Sequence, residues 1–267
     1  MSALMILGMH RSFTSLAAHW LMKSGLDIGA DLLGGSEGND DGHFEDLQFL
    51  ALHEGILREN GLPEDGLRFV NDRAFLSDRF AAIEIGPVAR RKAAELAATR
   101  PRQFGWKDPR TCLFLPLWRE VLPDATSLVM VRHFDDVVRS LDRRDRALVR
   151  QEANLRDRLR SWRDGRYRSH DAFLGAWVHY NRCLLDHLRQ RDGFVVTDLV
   201  GQADAVIAWL AERGFALDPV GIASVARPTP PPDLDRLSYR YDAALLAEAR
   251  ALFGELTALA RPANFQE

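Results

Sequence analysis

Cysteine is scarce in this chain of 267 residues. Cys112 and Cys183 stand far apart, with no CxxC pair and no HExxH. Neither a disulfide framework nor a zinc site is expected, and two lone thiols suit a reducing cytoplasm. Lysine is scarcer still than positive charge: of 35 basic residues only Lys23, Lys92 and Lys107 are lysines. The net charge of −3 leaves no overall polycation, so nucleic acid is not an expected partner. The apolar run at the N-terminus is too short for a signal or membrane helix, and no later run reaches membrane length, so no membrane span is expected. Internal repeats, low-complexity tracts and signs of a second domain are also missing. The chain therefore reads as a single domain over 1–267, with 46% hydrophobic residues to build its core.

What is present is concentrated in Leu4 to Gly29. The spacing predicts a short buried strand over Leu4–Leu7, a tight turn, and a helix from about Phe13 to Ser24. The turn holds Gly8, His10, Arg11, Ser12, Thr14 and Ser15. Hydroxyls and a guanidinium thus meet backbone N–H groups that have no partner inside the helix. Strand, turn and helix of this chemistry favour a phosphate or sulfate, because N–H groups and helix dipole point the same way. Arg11 can fork onto two anionic oxygens, and Ser12, Thr14 and Ser15 can donate to others. The common nucleotide phosphate loop, Gly-x4-Gly-Lys-Ser/Thr, is a different pattern: its second Gly and its Lys are absent here. An ordinary first helix capped by Ser12 is the plain alternative.

Further along, Leu26 to Gly42 reads as a long loop that delivers His43, Phe44, Glu45 and Asp46 to a helix ending near Asn60. Glu45 either does chemistry or simply complements that helix's N-terminus. A helix over about Ser77–Ala98 carries Pro87 inside it, where a kink is expected. Gln103 to Trp106 reads as a strand, followed by Asp108 as cap and Pro109 as first helical residue. Lys107 and Arg110 would then lie beyond a strand's carboxyl end, where open α/β sheets bind ligands. Ala125–Val131 is the clearest strand, with Arg132 directly after it and a helix opening at His133. Eleven arginines crowd 139–168, offset by five acids; they form a solvated helical face, or a basic flap or dock for an anionic acceptor. A helix over Asp171–Arg191, a strand over Gly193–Leu199, a helix to Gly214, a proline-rich loop at 226–235 and a last helix over Ala243–Ala260 complete the chain.

Three of these segments together resemble PAPS-dependent sulfotransferases of the bacterial type (PAPS is 3′-phosphoadenosine-5′-phosphosulfate). GMHRSFTSLAAHWL resembles their 5′-phosphosulfate loop, with Phe13 standing where that family has Gly. Gly42 to Asp46 matches a G-x-x-E-x segment, and Lys107 to Arg110 a K-D-P-R segment. Arg132 with Ser140 eight residues on matches the pair that binds the 3′-phosphate. The late G-x-x-G-x-x-K loop of the cytosolic members is missing, and Thr197 stands where related enzymes often have Tyr or Glu.

The resemblance implies a three-layer α/β/α domain with a central, mostly parallel sheet. It implies transfer of a sulfuryl group from PAPS to a hydroxyl or amine of a small-molecule or glycan acceptor, giving 3′-phosphoadenosine-5′-phosphate (PAP), without a metal. The cofactor-binding set would be His10, Arg11, Ser12, Phe13, Thr14, Ser15, Arg132 and Ser140. Lys107 and Arg11 would meet the phosphosulfate, and Glu45 would take the acceptor proton, with His43 and Asp46 as the other candidate bases. Phe13, which cannot easily take positive φ, is expected to begin the helix with ordinary helical angles and to turn its ring away from the loop. An ATP-dependent kinase and a non-catalytic nucleotide-binding scaffold remain the alternatives.

Overall fold

The computed structural model describes residues 1–34, 42–67, 83–151, 169–226 and 236–260, without the side chains of 148–151. In chain order the elements are β1 (Ser2–Leu7), α1 (Thr14–Lys23), α2 (Leu47–Glu59), α3 (Pro87–Ala98), β2 (Gln103–Lys107) and α4 (Leu115–Val121). Then come β3 (Thr126–Met130), α5 (Phe134–Gln151), α6 (His170–Leu188), β4 (Phe194–Val196), α7 (Ala203–Glu212) and α8 (Ala243–Ala258). Short 3₁₀ turns cover Pro109–Phe114 and Ile222–Ser224.

The four strands form one parallel sheet in the order β2-β1-β3-β4. Its strands are buried on both faces, which is why they read as nearly unbroken apolar runs. Along β1, Ala3, Met5 and Leu7 enter one core, shared with α2 to α6 and α8. Leu4 and Ile6 enter the other, shared with α1 and α7. The result is the expected three-layer α/β fold, with helices on both faces of the sheet. From β1 the chain crosses to β2 on one side and then to β3 on the other. The order reverses at β1, so the crevice beyond the carboxyl ends of β1, β2 and β3 is where such a sheet accepts ligands.

Local readings shift in three places. Pro87 starts α3 rather than kinking a longer helix: Gly86 is the cap and Pro87 the first residue, where its missing N–H costs nothing. Residues 83–86 of that expected helix are not helical, and its first residues, 77–82, with the proline-rich 227–235, lie outside the described residues. Pro109 opens a 3₁₀ turn, not an α-helix, capped as expected by Asp108, whose side chain accepts from Arg110 N. Glu45 is not in the first turn of α2. The cap is Asp46, which accepts from Gln48 N and Phe49 N, so Asp46 takes the part of complementing that helix. The basic stretch is helical from Arg139 to Gln151, and its remainder lies outside the described residues.

Candidate functional site

The turn between β1 and α1 lies over the point where the strand order reverses. Gly8 makes that close fit possible: a Cβ there would sit 2.8 Å from the Met130 carbonyl oxygen and 2.8 Å from Thr14 Cγ2. Its φ of 151° also belongs to glycine's range. The turn then alternates in handedness. Arg11 has φ 67° and Phe13 φ 63°, with Ser12 between them at negative φ. Two left-handed residues with one of negative φ between them bend the chain sharply, and the N–H groups of such a turn line a concavity that suits an anion. The first N–H groups of α1 continue it, since they have no intrahelical acceptor.

Phe13 therefore departs from the expectation. It occupies the cap position of α1 in the left-handed region, φ 63° and ψ 13°, and Ser12 is not the cap. The chain keeps the backbone that a glycine would take and fits a phenyl ring onto it, at a cost of roughly 1–2 kcal/mol. Two contacts offset that cost. The ring packs against the α1–α7 core, and the Arg132 guanidinium lies over its face at 4.4 Å from the centroid, a contact of about 0.5–2 kcal/mol.

Arg132 and Ser140 both reach this turn. Arg132 Nη1 donates to the Arg11 carbonyl at 2.9 Å, and Arg11 Nε donates to Ser140 Oγ at 2.9 Å. Trp177 Nε1 donates to the Arg132 carbonyl at 3.1 Å and fixes the strand end from behind. Burial lowers the pKa of both arginines; Arg144 and Arg143 lower Arg11 further, while for Arg132 the pull of Asp136 upward is opposed by Arg11, Arg139 and Arg143. Three positive side chains thus crowd one place, an arrangement that an anion would relieve.

The second cluster lies at the end of β2. Lys107, the last residue of that strand, is buried and donates to Glu45 Oε1 at 2.5 Å. The other carboxylate oxygen, Glu45 Oε2, is buried with no hydrogen-bond partner among the described residues. His43 Nδ1 is 3.9 Å from it. Burial pushes Glu45 up and Lys107 down, and each charge pulls its partner back. His43 is pushed down by burial and then by Lys107 and Arg11, so its ring is neutral near pH 7. Ser15 Oγ donates to the His43 carbonyl at 3.2 Å and ties this segment to the turn. Asp46 is committed elsewhere: besides capping α2 it pairs with Arg100 Nη1 at 2.8 Å. His10 is lowered well below its ordinary value by burial and by Arg110, and its Nε2, like Glu45 Oε2, is buried without a hydrogen-bond partner among the described residues. Ser12 and Thr14 are buried within the turn.

Beneath both clusters runs a chain that sequence reading did not find. Trp118 Nε1 donates to His53 Nε2 at 2.9 Å, so Nδ1 must carry the imidazole hydrogen, which goes to Asp108 Oδ2 at 2.7 Å. Asp108 Oδ1 accepts from Arg110 Nη1 at 2.9 Å. Burial alone would raise Asp108, but Arg110 and His53 hold it well below the carboxylate range. His53 lies mid-helix in α2 and meets Asp108 across 55 positions of sequence, with no local pattern to announce it.

No protein-family model and no curated protein sequence matches this chain. Among solved structures it is similar to the sulfotransferase domain from the curacin biosynthetic pathway. That match covers 96% of this chain and 98% of the other, with a TM-score of 0.50 and 12% identity. The likeness is one of fold: this chain has a sulfotransferase-like α/β fold. Among the described residues no helix is long and apolar enough to cross a membrane, and no three His, Cys, Asp or Glu side chains gather as a metal site.

Proposed function

We propose that this chain is a sulfotransferase that moves a sulfuryl group from PAPS to a hydroxyl or amine of a small-molecule or glycan acceptor and releases PAP. One observation carries the reading. The alternating turn at Arg11 and Phe13 is joined by Arg132 and by Ser140, residues distant in sequence, through hydrogen bonds of 2.9 Å. The sulfotransferase-like fold supports it.

PAPS, when bound, supplies the activated sulfuryl group. The N–H groups of the turn, with Arg11, Ser12, Thr14 and Ser15, hold its phosphosulfate by charge-assisted hydrogen bonds. Arg132 and Ser140 hold the 3′-phosphate. Lys107, at the carboxyl end of β2, places a compact positive charge where the leaving oxygen gathers charge. Glu45 Oε2 takes the acceptor proton; burial raises its proton affinity, which suits a base working near neutral pH. Asp46, tied to Arg100 and the α2 cap, is unsuited to that part.

Titration calorimetry with PAP and with ATP tests the reading, followed by turnover of labelled PAPS against a panel of acceptors. PAP binding well below ATP in Kd, with label transfer, is the expected result. Tighter binding of ATP would favour a kinase. Binding of PAP without transfer to any acceptor would favour a scaffold.

A further inference from the structure

Phe13 is the residue at which the turn departs from the glycine pattern, and it keeps the glycine backbone at φ 63°. A phenylalanine held in a left-handed conformation needs a reason in its side chain, because the backbone alone would be better served by glycine. The ring has two neighbours of note. One is the α1–α7 core, against which it is partly buried. The other is the Arg132 guanidinium, 4.4 Å above its centroid.

Among the described residues Arg132 has few other anchors. Its Nη1 donates to the Arg11 carbonyl. Its backbone carbonyl, not its guanidinium, receives the Trp177 N–H. Asp136 lies near enough to be felt as a charge, but it pairs with Arg139. A guanidinium fixed at one nitrogen can still swing about that bond. A flat aromatic face beneath it removes that freedom, because guanidinium and ring attract in a defined relative placement.

We infer that Phe13 is a positioning residue: its ring is the platform that holds the Arg132 guanidinium ready for the 3′-phosphate. The inference rests on the sulfotransferase reading above. It accounts for a bulky residue at a glycine position without making the turn degenerate. The ring replaces conformational freedom in the turn with preorganisation of the arginine that faces the far end of the nucleotide. Preorganisation of this kind raises affinity by removing the ordering cost at binding.

The test compares Phe13→Leu with Phe13→Tyr in calorimetric titrations of PAP and of adenosine 5′-phosphosulfate, which lacks the 3′-phosphate. Leu keeps apolar bulk but has no aromatic face; Tyr keeps the face. Thermal unfolding of each variant gives the folded fraction on which affinities are based. Phe13→Leu should weaken PAP by about three- to tenfold, the span of a modest cation–π contact, and weaken adenosine 5′-phosphosulfate clearly less, the second ligand measuring any loosening of the turn. Phe13→Tyr should match wild type for both ligands. Equal weakening of both ligands by Phe13→Leu, or none, would overturn the platform and leave the ring a packing residue. Failure of wild-type protein to bind PAP would overturn the sulfotransferase reading instead, so the two failures are distinct.

Discussion

Lys107 Nζ and Glu45 Oε1 lie 2.5 Å apart across two segments separated by 62 positions, and both side chains are buried. The pair joins the end of β2 to the segment that precedes α2. A buried pair of this kind is costly to break from one side only, because the survivor keeps an uncompensated charge. It also sets how each group acts: Lys107 occupies one oxygen of Glu45 and leaves the other buried without a hydrogen-bond partner among the described residues.

Glu45→Gln should therefore cut turnover by roughly 10²–10⁴-fold, the usual span for a general base, while PAPS affinity changes little. Gln keeps an oxygen for Lys107 but removes the carboxylate charge, so Lys107 also loses its buried counter-charge and turnover is compared per folded molecule. Steady-state turnover and PAP titration on the same preparation check this. Unchanged turnover would shift the base to His43, whose neutral ring lies 3.9 Å from Glu45 Oε2.

Arg132→Ala should weaken PAP far more than adenosine 5′-phosphosulfate. A lost charge-assisted contact is worth about 1.5–3 kcal/mol. Arg132 also donates to the Arg11 carbonyl, so some loosening of the turn is expected for both ligands. The second ligand measures that shared part. Equal losses would remove Arg132 from the 3′-phosphate.

Much of this arrangement was legible in the sequence. The strands at β1 and β3, the turn after β1, and the Asp108–Pro109 cap follow from apolar runs and cap residues acting over a few positions. Fold class followed from the resemblance to sulfotransferases that those segments carry, whereas the contacts of Arg132 and Ser140 with Arg11 are tertiary and no spacing announced them. Phe13 was misjudged because φ preference is a local rule, while the ring's offsetting contacts with Arg132 and the α1–α7 core are tertiary. Glu45 was placed one turn too late for the same kind of reason. Both Glu45 and Asp46 suit a helix start, and the hydrogen bonds from Gln48 N and Phe49 N to Asp46 show which one caps. The His53–Asp108–Trp118 chain had no signal at all, since nothing about a histidine inside an amphipathic helix names its partner 55 residues on.

His187 predicts a pH dependence of stability. Burial, then Arg119 and Arg191, push its imidazole down to about 4, against roughly 6.5 in an unfolded chain. Between those values the unfolded chain takes up a proton that the folded chain refuses. Stability should be full above pH 6.5 and fall as pH drops toward 4. The loss from this group is roughly 1–3 kcal/mol, allowing for partial solvent screening. His187→Leu should flatten part of that fall in urea unfolding at pH 6.5 and 4.5. His179, also held at about 4, would supply part of what remains. An unchanged difference between the two pH values would show that His187 is not the titrating group.

Asp108→Asn tests the chain beneath the site. Asp108 Oδ1 accepts from Arg110, and Oδ2 accepts the His53 Nδ1 hydrogen. Asparagine can keep only one of these. With its oxygen toward Arg110, its NH₂ faces the His53 N–H, donor against donor. The imidazole can yield by moving its hydrogen to Nε2, but Nε2 then confronts the Trp118 indole N–H, which can only donate. The conflict moves along the chain instead of vanishing, while Arg110 loses its buried counter-charge. A cost of about 3–5 kcal/mol in urea unfolding is expected, as for a buried pair broken from one side. Trp118→Phe removes the final donor, so the double variant should lose less than the sum of the single ones, by roughly 0.5–3 kcal/mol. Strictly additive losses would mean that the indole hydrogen bond and the Asp108 carboxylate act independently, and that the three residues do not form one chain of directed hydrogen bonds.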